Sequence, residues 1–456
     1  MLKRTNYLTK IYDIKDGWTL PVYEREAHGY QTARKVLTSM KPEDAVAECK
    51  KANVRGRGGA GFPMGMKWSF MKPHPTKPSY LVINADEGEP GTHKDRTIME
   101  LNPHSVVEGC IIGCYAIGAK VAYIYVRDEL HLSKARLWAA IEEARAKGYL
   151  GKGIFGTAND IDVFVHTGAG AYICGEETSL LNSLEGRRGE PRLKPPFPAQ
   201  SGAFGCPTTV NNLESIAIVP TAFRLGCEEF SKHSALHALN DGGVRLYAVN
   251  GHVNKPGVFE LSVGVTLREL IEELGGGVLG GKKLLAVIPG GSSTPVLRAD
   301  EIVHAPDPAS PLHPYHGMSI LDVPMGVDTM RGLGTALGTC CVTVMAEGSC
   351  PVAAMHNLMQ FYKHESCGQC TPCREGSGWL LRTSQKILDG QGTMEDIDLL
   401  ADIANNVTGN TICAFGDGMA MPAMGFLKKF RGDFEAYVRG ERTKDTHGHL
   451  TVGALS

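Results

Sequence analysis

The sequence predicts an α/β layer fold with a largely parallel sheet, followed by a compact ββαβ domain of the β-grasp type and a small C-terminal helical bundle. Three textures predict it. From about residue 30 to 240, helical and β-rich stretches alternate, the pattern of helices packed on a mostly parallel sheet. Near residue 243 two short β-runs flank an Asn-Lys-Pro-Gly turn. From about residue 333 onward, apolar residues recur with helical periodicity. The chain divides accordingly at 1–240, 243–330 and 333–440, with a tail at 441–456.

Taken in order, residues 42–51 (PEDAVAECKK) start on proline and read as a helix. YLVIN at 80–84 is a short strand. Residues 109–126 imitate a membrane span, but Lys120 divides them. We read 106–119 as a buried helix and 121–126 as a strand, and expect no direct membrane insertion. Residues 133–146 form a charged amphipathic helix, and IDVFVH at 161–166 a third strand. In the second part, VRLYAVNGHVNKPGVFEL reads as a hairpin, TLRELIEELGG as a short helix closed by glycine, and KLLAVIPGG as another strand. Helices are expected at 353–364, 378–389, 394–406 and 424–437.

Bulk properties narrow the function. The net charge of −2 lacks the basic field of a nucleic-acid binder. The N-terminus, MLKRTNYLTKIYDIKDGW, has no apolar core and no Arg/Ser-rich amphipathic segment, so neither a signal nor a transit peptide is expected. Thirteen cysteines, an odd number without a secretion signal, favour metal ligands or buried thiols over a disulfide framework. Glycine supplies 55 of 456 residues and clusters in short loops, which brings bare backbone close to ligands.

The strongest motif is Cys367-Gly-Gln-Cys370-Thr-Pro-Cys373. Three thiols at this spacing wrap one corner of a cubane cluster. Zinc more naturally takes two separated pairs or a Cys/His mixture. A [4Fe–4S] cluster needs a fourth thiolate, and Cys413 is the only cysteine downstream. Packing alone is a poor account of three thiols within seven residues. Cys110 and Cys114, four apart on the apolar helix, read as core. So do Cys49, Cys227, Cys340, Cys341 and Cys350, while Cys174 and Cys206 lie in glycine-rich loops.

Three glycine loops follow. Residues 55–68 contain G-x-G-x-x-G from Gly56 to Gly61, but a helix precedes them where a dinucleotide fingerprint needs a strand. Bare N–H groups can still cradle phosphate there, with Lys67 adding a charge. Asn84-Ala-Asp-Glu-Gly-Glu-Pro-Gly91 ends the first strand and Gly168-Ala-Gly-Ala-Tyr-Ile-Cys-Gly-Glu-Glu-Thr178 ends the third. Two acidic glycine loops at strand ends suggest one shared crevice.

Together GRGGAGFPMGMKW, NADEGEPGTHKDR, GAGAYICGEETSLLNSLEG, PTTVNNLES, ESCGQCTPCREG and NTICAFGDG resemble the NADH- and FMN-binding flavoprotein subunit (the F type) of respiratory complex I, over about residues 15 to 440. The resemblance implies a Rossmann-like FMN-binding domain, a β-grasp domain of the soluble-ligand-binding type and a helical [4Fe–4S] domain. It implies FMN against Gly56, Arg57, Gly58 and Lys67, with Asn84, Asp86, Glu87, Tyr172, Gly175, Glu176, Val210, Asn211 and Asn212 completing the site. NADH would lie over the flavin, its adenine near Phe62, Phe70 and Phe197, with Glu89 and Glu177 on the nicotinamide or ribose part. Cys367, Cys370, Cys373 and Cys413 would hold the cluster.

The implied chemistry is hydride transfer from nicotinamide to FMN, then single electrons to the cluster and onward toward quinone. No side chain acts as a catalytic acid, because the flavin carries the reaction. The implied partners are a thioredoxin-like [2Fe–2S] subunit and an iron–sulfur-rich subunit of the peripheral arm, on the cytoplasmic side of the bacterial inner membrane. The first rival is the diaphorase subunit of an NAD-linked hydrogenase or formate dehydrogenase, many of which carry an extra thioredoxin-like or ferredoxin domain not seen here. The second is a non-catalytic ligand-capture protein, which would be colourless.

Overall fold

The computed structural model describes residues 4–442. Four strands form the first sheet: β1 (Tyr80–Ala85), β2 (Val121–Arg127), β3 (Asp162–Gly168) and β4 (Thr208–Asn212). Their order is β3-β2-β1-β4 and every pairing is parallel, as the alternating pattern predicts. The chain moves outward from β1 to β3, then returns to place β4 on the other side of β1. Such a reversal opens a crevice outside the carboxyl ends of the two strands that flank it.

The apolar run after residue 102 is the helix Pro103–Ile117, buried along almost its whole length. Asn102 caps its start by accepting from the Ser105 N–H, and Gly118 ends it at φ +70°. Gly109 lets the neighbouring helix Leu213–Ala217 approach: a Cβ there would lie 2.2 Å from the Ile216 carbonyl oxygen. Among the described residues no helix is long and apolar enough to cross a membrane.

The second sheet has the order β6-β5-β9-β7-β8. Its strands are β5 (Val244–Gly251), β6 (Gly257–Ser262), β7 (Leu284–Ile288), β8 (Leu297–Arg298) and β9 (Cys341–Ala346). β5 and β6 form the expected antiparallel hairpin. The expected short helix is a single π-type segment, Glu269–Leu274. The strand at 341–346 differs from the expectation of helix beyond 333. It pairs with β5 on one side and β7 on the other. A central strand covered on both faces reads as a continuous apolar run, so it shows no alternation to mark it.

Four helices close the chain: Pro351–Glu365, Thr371–Leu388, Met394–Val407 and Phe415–Val438. They pack around a core that includes Met355, Met359, Leu380, Leu400, Phe426 and Phe434. The tail expected at 441–456 lies outside the described residues beyond 442.

The N-terminal segment is fastened to the second sheet by one carboxylate. Glu260 on β6 accepts from the N–H groups of Tyr7, Leu8 and Thr9 at 2.8–3.0 Å, and from the hydroxyls of Thr5 and Thr9. Glu260→Ala leaves these donors without an acceptor and should cost about 2–3 kcal/mol. Thermal unfolding and hydrogen exchange check this: amide protection at residues 7–9 should fall, and unchanged protection would show that another contact holds the segment.

Candidate functional site

The glycine loop lies over the end of β4. A Cβ on Gly58 would sit 3.2 Å from the Cβ of Asn212, and Gly59 makes a backbone bridge to Gly338 of the second domain. Arg57, expected against the cofactor, sends its side chain into the protein interior. Its guanidinium is buried, donates to the carbonyls of Gly242 (3.3 Å) and Val244 (2.7 Å), and lies 3.9 Å from Glu214 and 3.8 Å from Asp241. Its N–H donates to the Ser215 hydroxyl. The side chain is drawn into the domain interface because buried carboxylates there need a cation.

Lys67, on the helix Met64–Ser69, reaches into the crevice. Its ammonium donates to Glu177 at 2.9 Å and to the Val210 carbonyl at 2.8 Å. The next residue, Trp68, is buried and donates to the Asn211 side chain at 3.1 Å. One short helix thus ties the glycine loop to β4 and to the second acidic loop.

The two acidic loops meet as their strand positions predict. Asn84 donates to the Gly175 carbonyl at 2.8 Å, and a Cβ on Gly175 would lie 3.6 Å from the Asp86 carbonyl oxygen. The carboxylates take different jobs. Glu87 accepts from the N–H groups of Asp95 and Arg96, both at 2.8 Å, and caps the helix Lys94–Leu101. Glu89 accepts from the Tyr172 hydroxyl (2.6 Å), the Ser292 hydroxyl (3.1 Å) and the Ser293 N–H (2.7 Å). Glu176 caps the helix Glu177–Leu184 through Thr178 and Ser179. Asn212 bonds Asp95 at 2.7 Å and the Glu214 N–H at 3.1 Å.

Asp86 is the exception. It is buried, and neither carboxylate oxygen has a hydrogen-bond partner. Burial pushes its carboxyl up to about 7, against the pull of the Arg127 guanidinium. A buried acceptor left open beside bare glycine backbone is what a ligand with N–H or O–H donors completes. FMN, with a ring imide and ribityl hydroxyls, fits that description.

Glu177 lies between two ammonium groups, Lys67 at 2.9 Å and Lys194 at 3.1 Å. Burial opposes its charge, but the two lysines hold its carboxyl below the usual range. Lys194 also pairs with Glu176 at 3.1 Å. Sequence reading misses Lys194, because nothing in Arg192-Leu-Lys-Pro-Pro-Phe197 marks it and only the fold brings it to the acidic pair. The segment carries Phe197, which is 55% exposed, while Phe62 and Phe70 are 47% and 49% exposed with ring centroids 6.0 Å apart. Large aromatic faces open to water in this way commonly belong to a binding mouth.

The four cysteines of the expected ligand set lie around one pocket. Cys367, Cys370, Cys373 and Cys413 line this small pocket, together with Ile173, Pro191 and Phe415. Gly368, at φ +77°, turns the loop between the first two thiols. Arg188 donates to the Cys367 carbonyl and Arg374 to the Gly368 carbonyl, each at 2.9 Å. A cluster of the [4Fe–4S] type fits this donor set. Cys110 and Cys114 are buried in the core of the first domain, as expected.

The state of Asp86 has a pH signature. Its folded-state value lies above the ordinary 3.8. It therefore contributes stability at low pH that is lost as pH rises from about 4 to about 7. In the ligand-free protein Asp86→Asn should raise stability at pH 8 by up to about 4 kcal/mol, and by little at pH 4. Thermal unfolding at the two pH values measures the difference; an equal effect at both would contradict a neutral Asp86.

Comparison with known proteins agrees with this geometry. Residues 49–221 match the Nuo51 FMN-binding domain family, residues 245–310 the SLBB domain family, and residues 353–437 the NADH-ubiquinone oxidoreductase-F iron-sulfur binding region. The F subunit of the NADH-quinone oxidoreductase of Streptomyces coelicolor is 46% identical over 433 residues, covering 95% of this chain and 91% of that protein. The F 1 subunit of the Rhizobium meliloti NADH-quinone oxidoreductase is 46% identical over 446 residues, covering 97% of each. Among solved structures, an NAD+-reducing [NiFe]-hydrogenase in the air-oxidised state aligns with a TM-score of 0.77 and 31% identity, over 96% of this chain and 68% of that chain. The chain belongs to the family of F subunits of NADH-quinone oxidoreductases, and its FMN-binding and iron–sulfur regions follow one another along a single fold.

Proposed function

We propose that this chain takes electrons from NADH onto FMN and passes them singly through a [4Fe–4S] cluster, as the electron-input subunit of an NADH:quinone oxidoreductase. The observation that carries this reading is the pairing of two sites in one fold: an open, donor-seeking crevice at the sheet's switch point and four thiols around one cavity. The greater identity to quinone reductase subunits, 46% against 31%, ranks the hydrogenase diaphorase second.

FMN, when bound, accepts hydride at its ring and converts a two-electron donor into single electrons. The chain's residues do the holding. Gly56 and Gly58 offer backbone to the flavin phosphate or ribityl chain, and Arg57 supports that loop from behind. Asp86 accepts from the flavin's own donors, with Asn84, Glu87, Tyr172, Gly175, Glu176, Val210, Asn211 and Asn212 forming the walls and floor. Phe62, Phe70 and Phe197 stack on the adenine, while Glu89 and Glu177 accept from nucleotide hydroxyls. Cys367, Cys370, Cys373 and Cys413 ligate the cluster. Residues 1–240 act as the flavin and nucleotide domain, and the bundle as the cluster domain.

Membership of the family supports a place in the peripheral arm of complex I. We infer that a thioredoxin-like [2Fe–2S] subunit and an iron–sulfur-rich subunit receive the electrons, on the cytoplasmic side of the bacterial inner membrane.

Two measurements test the assignment. Cys370→Ala should abolish the EPR signal of the reduced cluster and lower bound iron, while Cys110→Ala does neither. A normal signal in Cys413→Ala would remove that residue from the ligand set. Glu177→Gln should raise the NADPH:NADH ratio of kcat/KM about 10-fold, a difference near 1.4 kcal/mol. The substitution removes a charge that repels the 2′-phosphate and leaves Lys67 and Lys194 to attract it. A ratio that does not move would place the discriminating group elsewhere.

A further inference from the structure

Glu89 is joined to all three parts of the fold by a short chain of hydrogen bonds, the bundle reaching it through Ser292. It belongs to the loop after β1. Ser292 and Ser293 belong to the turn between β7 and β8, and Tyr362 to the helix Pro351–Glu365. Gly291 shapes the turn for this contact: at φ +94°, a Cβ there would lie 2.7 Å from Glu89 Cγ. Only glycine admits both the backbone angle and the approach.

The hydrogen bonds fix how much of the carboxylate remains available. Oε1 accepts from the Ser293 N–H at 2.7 Å and the Ser292 hydroxyl at 3.1 Å, which fills its two lone pairs. Oε2 accepts only from the Tyr172 hydroxyl, at 2.6 Å. One lone pair on Oε2 is left for an outside donor. The Ser292 hydroxyl has a single proton, directed to Glu89. The 2.7 Å contact between Ser292 Oγ and the Tyr362 hydroxyl must therefore run from Tyr362 to Ser292. Burial raises the Tyr362 phenol well above its usual value, so that proton stays in place.

We propose that Ser292 is a positioning residue for NADH: held by Tyr362, it orients the Glu89 carboxylate so that one oxygen faces a nucleotide hydroxyl. The inference rests on the reading of Glu89 as a nucleotide contact given above. It gives the second and third domains a part in substrate affinity, although neither supplies a residue that touches substrate. Without the serine hydroxyl, Glu89 keeps the Ser293 N–H on Oε1 and the Tyr172 hydroxyl on Oε2 but loses the third bond, which loosens the tilt of its carboxylate. Affinity suffers, while the flavin and cluster are untouched.

The test uses the purified flavin- and cluster-containing enzyme. Ser292→Ala should raise KM for NADH about 5- to 10-fold with kcat for ferricyanide reduction within twofold, and should raise the calorimetric Kd for NAD+ by a similar factor. Tyr362→Phe, which leaves both Glu89 and Ser292 in place, should shift KM in the same direction by a smaller factor. The double variant should be no worse than Ser292→Ala, because both changes break one chain of bonds. Glu89→Gln serves as the reference. If it raises KM while both other variants leave KM and Kd unchanged, Glu89 contacts nucleotide but the positioning role is overturned. If Glu89→Gln itself leaves KM unchanged, the reading of Glu89 falls first. Should Ser292→Ala lose flavin on purification, Tyr362→Phe carries the test alone: a fall in kcat or flavin content with unchanged KM marks a merely structural role and overturns the proposal.

Discussion

A buried set of charges holds the glycine loop where the crevice needs it. Arg57, Lys94 and Arg245 face Glu214, Asp95 and Asp241, and all six are at most 3% exposed. Three cations balance three carboxylates, and they come from separate stretches of chain: the glycine loop, the helix after the first acidic loop, the helix after β4 and the start of the second domain. Buried ion pairs add little net stability, but losing one member strands a charge in a medium that solvates it poorly. The set therefore acts as a lock on relative position. With Arg57 fixed, Gly58 must sit over Asn212, and the loop's open backbone must face the ends of β1 and β4.

The acidic residues around the crevice separate into groups with different partners. Glu87 and Glu176 cap helix N-termini, Glu177 pairs with two lysines, and Glu89 is held by Tyr172 and by Ser292 and Ser293 of the second domain. Asp86 alone is buried without a partner. The loops look equally acidic in the sequence, yet the fold assigns scaffolding to most of their carboxylates and leaves few acceptors for a ligand. A site built this way offers a small number of fixed acceptors whose surroundings do not rearrange on binding.

Aromatic side chains lie between the crevice and the cysteine pocket. Tyr172 packs edge-on against Phe361 and Phe415 with ring centroids 5.2 and 5.8 Å apart, and Tyr362 meets Phe415 at 5.7 Å. Tyr172 bonds Glu89 on one side of this wall, and Phe415 lines the cysteine cavity on the other.

The sequence by itself determined much of this protein. Parallel strands with ligand loops at their ends follow from the alternating pattern, because a helix after each strand forces the next strand to run parallel. The cysteine spacing singled out the loop at 367–373, and the fold brings the lone downstream thiol, Cys413, to the same pocket. The hairpin at 244–262 was legible from its turn. Tertiary structure decided what local pattern cannot carry. Cys341–Ala346 became a central strand because partners on both edges and layers on both faces were waiting for it. Arg57 turned away from the crevice because buried carboxylates on other segments drew its charge. Lys194, Ser292 and Tyr362 came to their contacts from segments without a motif. Their partners are chosen by distance across the fold, a quantity that the order of residues along the chain does not encode.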